Sequence, residues 1–98
     1  MEFTKNIDGT RISYCVSGRL DTNTAPVLNE DLTKSLEGMN ELVLDLKDLE
    51  YISSAGVRVL LSAYKTMNKR GGMILKNLPE MVREVLSVTG LLDFFTIQ

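Results

Sequence analysis

The run Leu42-Val43-Leu44-Asp45-Leu46 constrains the fold more than any other stretch. A half-exposed strand alternates apolar and polar side chains. This run is apolar at all but one position, the pattern of a central strand covered on both faces. Beyond it, Lys47-Asp48-Leu49-Glu50 carries the chain to Tyr51-Ile52-Ser53-Ser54-Ala55-Gly56-Val57-Arg58, where a strongly amphipathic helix begins. Over about 54–69, Val57, Leu60, Leu61 and Tyr64 share one helical face, widened by Val59, Ala63 and Met67. Arg58, Lys65, Asn68 and Lys69 fall outside that stripe. A strand, a small polar turn and a helix start therefore meet at adjacent serines. In parallel α/β sheets, functional groups collect at the carboxyl ends of strands. A helix start there adds free backbone N–H groups and the positive end of a dipole, which suit an anion or a serine-borne phosphate. The plainer function of either serine is helix capping.

The remaining segments follow the same logic. Ile12, Tyr14 and Val16 alternate with polar neighbours, and Asp8-Gly9 precedes them, so a hairpin of strands near 2–7 and 10–17 is expected. Cys15 falls on the face opposite Tyr14 and reads as a packing residue rather than a nucleophile. Gly18 to Thr24 reads as a loop. Pro26 sits just inside a helix start capped by Asn23 or Thr24, and Ala25, Leu28, Leu32 and Leu36 line one face until Gly38. Gly71-Gly72 stops the second helix, and Met73-Ile74-Leu75 is a short strand. Pro79 opens a third helix with Val82, Val85 and Leu86 on its apolar face, Gly90 ends it, and Phe94 to Ile97 is a last strand. The order β-β-α-β-α-β-α-β predicts one α/β domain over residues 1–98, with an antiparallel hairpin leading into a mostly parallel mixed sheet packed by helices.

Composition narrows the chemistry. A net charge of −2 is not that of a nucleic-acid binder. No apolar run approaches membrane-spanning length, and the N-terminus lacks the basic and apolar regions of a signal peptide, so a cytoplasmic location without membrane insertion is expected. The single cysteine permits no intramolecular disulfide. With no histidine, the commonest general base and metal ligand is missing, and nothing activates Cys15. Asp45, Asp48 and Glu50, with Asp21 across from them, read as a solvated acidic rim rather than a metal or acid–base site. No catalytic residue, metal ligand or cofactor is assigned, and the chain reads as a substrate or binding partner.

Together these residues resemble a known family, the STAS domains of the anti-sigma-factor antagonist type. Gly18-Arg19-Leu20-Asp21 resembles the family's Gly-x-Leu-Asp loop, Leu42 to Leu46 its central strand, and Ile52-Ser53-Ser54-Ala55-Gly56-Val57 its signature turn; Gly71-Gly72 and Val88-Thr89-Gly90-Leu91 also fit. The resemblance implies a domain that, unphosphorylated, binds an anti-sigma factor serine kinase and frees a sigma factor. Phosphorylation ends that binding and a phosphatase restores it. Aligning Gly56 with the family glycine puts Ser54 on the phosphorylated position; Ser53, which stands where many members have aspartate, is the alternative. The implied partner surface comprises Asp21, Thr22, Ser53, Ser54, Val57 and Arg58, with Asp21, Thr22, Ser54 and Val57 expected along one exposed rim. The alternative function is an unphosphorylated STAS subunit of a transport or signalling complex.

Overall fold

The computed structural model describes all residues, 1–98. The elements are β1 (Glu2–Asp8), β2 (Arg11–Leu20), α1 (Ala25–Ser35), β3 (Glu41–Ile52), α2 (Ser54–Met67), β4 (Met73–Lys76), α3 (Glu80–Val88) and β5 (Thr96–Ile97). They form a five-stranded sheet in the order β1-β2-β3-β4-β5. The β1–β2 pair is antiparallel and each later pair is parallel. The expected α/β architecture is therefore present in every element. The hairpin loop is Gly9-Thr10, closed by the Asp8–Arg11 pair. Gly9 has φ +64°, a left-handed backbone state that glycine adopts without strain.

Each parallel crossover steps one strand in the same direction. Right-handed connections then place all the helices on one face of the sheet. Burial agrees: Ile12, Tyr14, Leu42, Leu44 and Leu75 form one cluster with Leu28, Leu60, Met67, Val82 and Leu86 from the three helices. The expectation of a central strand covered by helices on both faces does not hold. Val43 points away from the cluster yet is only 7% exposed, lying between Ser13 and Ile74 of the adjacent strands. Lateral shielding in the middle of a sheet buries a short side chain without a second layer.

Two boundaries differ from the sequence expectation, for one reason. Gly18 to Leu20 continue β2 instead of starting a loop, and Lys47 to Ile52 continue β3 instead of linking to the turn. These extensions pair with each other, from Ser17–Asp48 to Leu20–Ile52, with one register irregularity just before that span and a second within it, between Gly18 and Arg19. The irregularities break the period-two pattern that would have revealed strand in either segment alone. At the other end, β5 is only Thr96–Ile97; Phe94 and Phe95 lie in the preceding turn, packed edge-to-face with ring centroids 5.6 Å apart.

A polar network ties α1 to the sheet. Tyr14, fully buried on β2, donates its hydroxyl to Asp31 on α1 at 2.5 Å. Lys5 on β1 donates to the same carboxylate at 3.1 Å and to the Ser35 hydroxyl at 2.8 Å. Burial, and then the hydrogen bond to Asp31, hold the Tyr14 phenol well above its ordinary pKa, so it remains a neutral donor. For Asp31, burial is the largest influence and pushes the pKa up. The hydrogen bonds from Tyr14, Lys5 and Ser35 and the charge of Lys5 outweigh it, and the net shift is downward. A carboxyl with a depressed folded pKa stabilises the fold above its unfolded pKa, about 3.9, and that contribution is lost as pH falls through the lower folded value. The melting temperature is therefore expected to decline below about pH 4, and Asp31→Asn should remove part of that dependence. Identical acid-limb slopes for the two proteins would refute the linkage.

Candidate functional site

The site is built where β2 and β3 end together. Leu20 pairs with Ile52, and the Ser53 N–H donates to the Leu20 carbonyl at 2.9 Å. Asp21 and Ser53 thus leave the sheet side by side at its carboxyl edge. Gly56 permits this junction. A Cβ at that position would lie 2.7 Å from Ile52 Cγ1 and 2.9 Å from the Leu20 carbonyl oxygen. The first turn of α2 rests directly on the ends of both strands.

The Asp21 side chain shapes its own loop. Its Oδ1 accepts the N–H groups of Asn23 at 3.0 Å and Thr24 at 3.1 Å, while Thr24 Oγ1 donates to the Arg19 carbonyl at 2.7 Å. Thr24 takes the N-cap position of α1. The backbone N–H of Thr24 does most to hold the Asp21 carboxyl below the usual range; burial opposes it, and Asn23, the Thr24 hydroxyl and Arg19 add to the lowering. Arg19 Nε stands 3.8 Å from Asp21 Oδ2, and its guanidinium lies 4.2 Å above the Tyr51 ring. Asp21 is thus a loop-forming residue at the rim.

The two serines differ. Ser53 is the N-cap of α2, with φ −99° and ψ 176°, but its side chain makes no capping bond. Its hydroxyl oxygen is buried and has no hydrogen-bond partner. Ser54, the first helical residue, is exposed. Thr22 and Arg58 are exposed too, whereas Val57 is 6% exposed and belongs to the core. The expected rim of Asp21, Thr22, Ser54 and Val57 is corrected in that one member. As the fourth residue of α2, Val57 turns toward the sheet with Leu60, and Arg58 takes the outward position beside it. Thr22 and Arg58 line a shared groove of about 460 Å³ between α1 and α2, together with Pro26, Asn29, Ala55 and Ser62. A second hollow of about 320 Å³ lies further along the same helices, by Leu36, Thr66 and Arg70.

The acidic residues do not form a metal site: no three potential ligands converge. Asp45 accepts from Asn77 Nδ2 at 3.2 Å and from the Lys47 N–H at 3.1 Å, and Asp21 is engaged in its loop. Cys15 is exposed, on the strand face away from the helices. What the rim offers is an exposed hydroxyl at a helix start with a groove and an arginine beside it. That arrangement can receive a group or a partner.

A family model of the STAS domain matches residues 2–98. The chain belongs to the STAS domain family. This STAS domain is 36% identical over 87 residues to the anti-sigma-B factor antagonist of Bacillus subtilis, covering 88% of this chain and 80% of that protein. Its fold matches an anti-sigma factor antagonist from Mycobacterium paratuberculosis with a TM-score of 0.84 at 27% identity, covering 98% of this chain and 85% of the other. It matches the unphosphorylated form of the anti-sigma factor antagonist SpoIIAA with a TM-score of 0.85 at 18% identity, covering 99% and 88%. The STAS domain is a binding protein and not an enzyme, in keeping with relatives named as regulators. No helix is long and apolar enough to cross a membrane.

Proposed function

We propose that this STAS domain is an anti-sigma factor antagonist. In this reading it binds, in its unphosphorylated form, an anti-sigma factor that is also a serine kinase, and so frees a sigma factor in the cytoplasm. Phosphorylation of Ser54 ends the binding and a phosphatase reverses it. The observation that carries the proposal is the contrast at the turn: the Ser54 side chain is open to a kinase, while the Ser53 hydroxyl is buried. The names of the sequence relatives supply the partner class. Thr22 and Arg58, which share the groove beside α2, and Asp21, which holds the loop above it, fit a docking face around the acceptor. Val57 contributes by supporting that face from beneath rather than by contact.

A kinase assay with the cognate anti-sigma factor tests the assignment. Ser53→Ala is expected to take up phosphate as the wild type does, and Ser54→Ala to take up none. Uptake that survives Ser54→Ala and vanishes in Ser53→Ala would move the acceptor by one residue. No uptake by the wild type with active kinase present would favour an unphosphorylated binding subunit.

A further inference from the structure

The start of α2 has neither a side-chain cap nor an acidic residue in its first turn. Its ladder begins with the Val57 N–H on the Ser53 carbonyl at 3.0 Å, which leaves the N–H groups of Ser54, Ala55 and Gly56 without an intrahelical partner. The first turn carries no acidic residue. Serine at an N-cap ordinarily accepts from one of those N–H groups. Here the Ser53 hydroxyl makes no such bond and is buried unpaired. The nearest outward charge on the helix is positive, Arg58, one turn beyond Ser54.

We propose that a phosphate on Ser54 becomes the missing cap of α2, so that the phosphorylated domain is more stable than the unmodified one. This rests on the reading of Ser54 as the acceptor, and it deepens that reading: the inactive state is the better-folded state. At the first helical position the phosphate oxygens lie next to free N–H donors and the positive end of the dipole. Arg58 stands where an i, i+4 partner of residue 54 belongs. The first turn of α2 carries no carboxylate to oppose the added charge; the acidic group on the adjoining loop is Asp21, whose carboxylate is already engaged by the N–H groups of Asn23 and Thr24 and faced by Arg19. The Ser53 hydroxyl, which makes no capping bond, does not compete with the phosphate for the cap.

The test uses the full chain with phosphoserine incorporated at position 54 during translation, so it does not depend on any kinase. The phosphorylated chain is expected to melt roughly 2–6 °C higher than the unmodified one at pH 7.5. Its phosphorus resonance should titrate about half a unit or more below the ordinary second phosphate pKa of about 6. A group with a depressed folded pKa stabilises above its unfolded pKa, so the gain in melting temperature should fade as pH falls from about 7 to about 5. Ser53→Ala in the unmodified chain should melt within about 1 °C of wild type or higher, since a hydroxyl that bonds nothing is being removed. Ser53→Asp should raise the unmodified chain by several degrees and at least halve the gain from phosphate. An unchanged or lower melting temperature in the phosphorylated chain would overturn the proposal. So would a phosphate pKa at or above about 6, or a drop of several degrees in Ser53→Ala.

Discussion

Gly56→Ala is expected to destabilise the domain by about 3 kcal/mol, at the upper end of the usual cost of overpacking. That corresponds to a fall in melting temperature of more than 10 °C for about a hundred residues. On helix propensity alone the change should stabilise by up to about 1 kcal/mol, because alanine is the better helix former. Packing decides against it. The new methyl carbon would lie 2.7 Å from Ile52 Cγ1, 2.9 Å from the Leu20 carbonyl oxygen and 3.0 Å from Leu20 Cγ. The Ile52 side chain can rotate, but the Leu20 carbonyl is fixed by its bond from the Ser53 N–H. Relief therefore requires α2 to lift from the strand ends, which separates Ser53 and Ser54 from the Asp21 loop. Denaturant unfolding measures the loss. A variant as stable as wild type would show that the close approach at Gly56 is not maintained in solution. Partner affinity should fall by more than the loss of folded protein explains, because the rim itself is displaced.

Ser54→Asp is expected to weaken the proposed complex with an anti-sigma kinase about 30-fold or more while the domain stays folded. A charge brought unpaired into an interface costs roughly 2–5 kcal/mol, and each 1.4 kcal/mol is tenfold in affinity. The same charge at a helix start gains only about 0.3–1 kcal/mol. The interface penalty is the larger, so binding is lost and folding is kept. Isothermal calorimetry and a melting curve on one preparation separate the two effects. Wild-type affinity with intact stability would place the partner elsewhere on the domain. With phosphate in place of aspartate, Arg58→Ala should weaken the complex further, since Arg58 then no longer offsets the added charge. If Arg58→Ala instead lowers the affinity of the unphosphorylated domain by the same factor, Arg58 is a direct contact and not a shield.

The sequence by itself determined the sequence of elements, the apolar face of each helix and the crowded turn of small residues between β3 and α2. Those features are local. A helix buries every third or fourth residue whatever it packs against, and Ala25, Leu28 and Leu32 or Leu60, Ala63 and Met67 announce that face from one segment. The turn from Ile52 to Gly56 was equally legible, because small residues in that order fit one kind of junction. The tertiary structure alone decided how far the strands run. Gly18 to Leu20 and Lys47 to Ile52 are strands only because each supplies the other's ladder, across a sequence separation that no local pattern spans. Helical periodicity sets Val57 on the apolar face and the family resemblance sets it on the rim; the tertiary structure decides for the first, because contact with the sheet fixes the rotation of α2. Most consequentially, it distinguished adjacent serines that the sequence left as alternatives. Their spacing is the same in either orientation. The close seat of α2 at Gly56, together with the Ser53–Leu20 hydrogen bond, settles their backbone, so that one hydroxyl is turned inward and the other faces solvent.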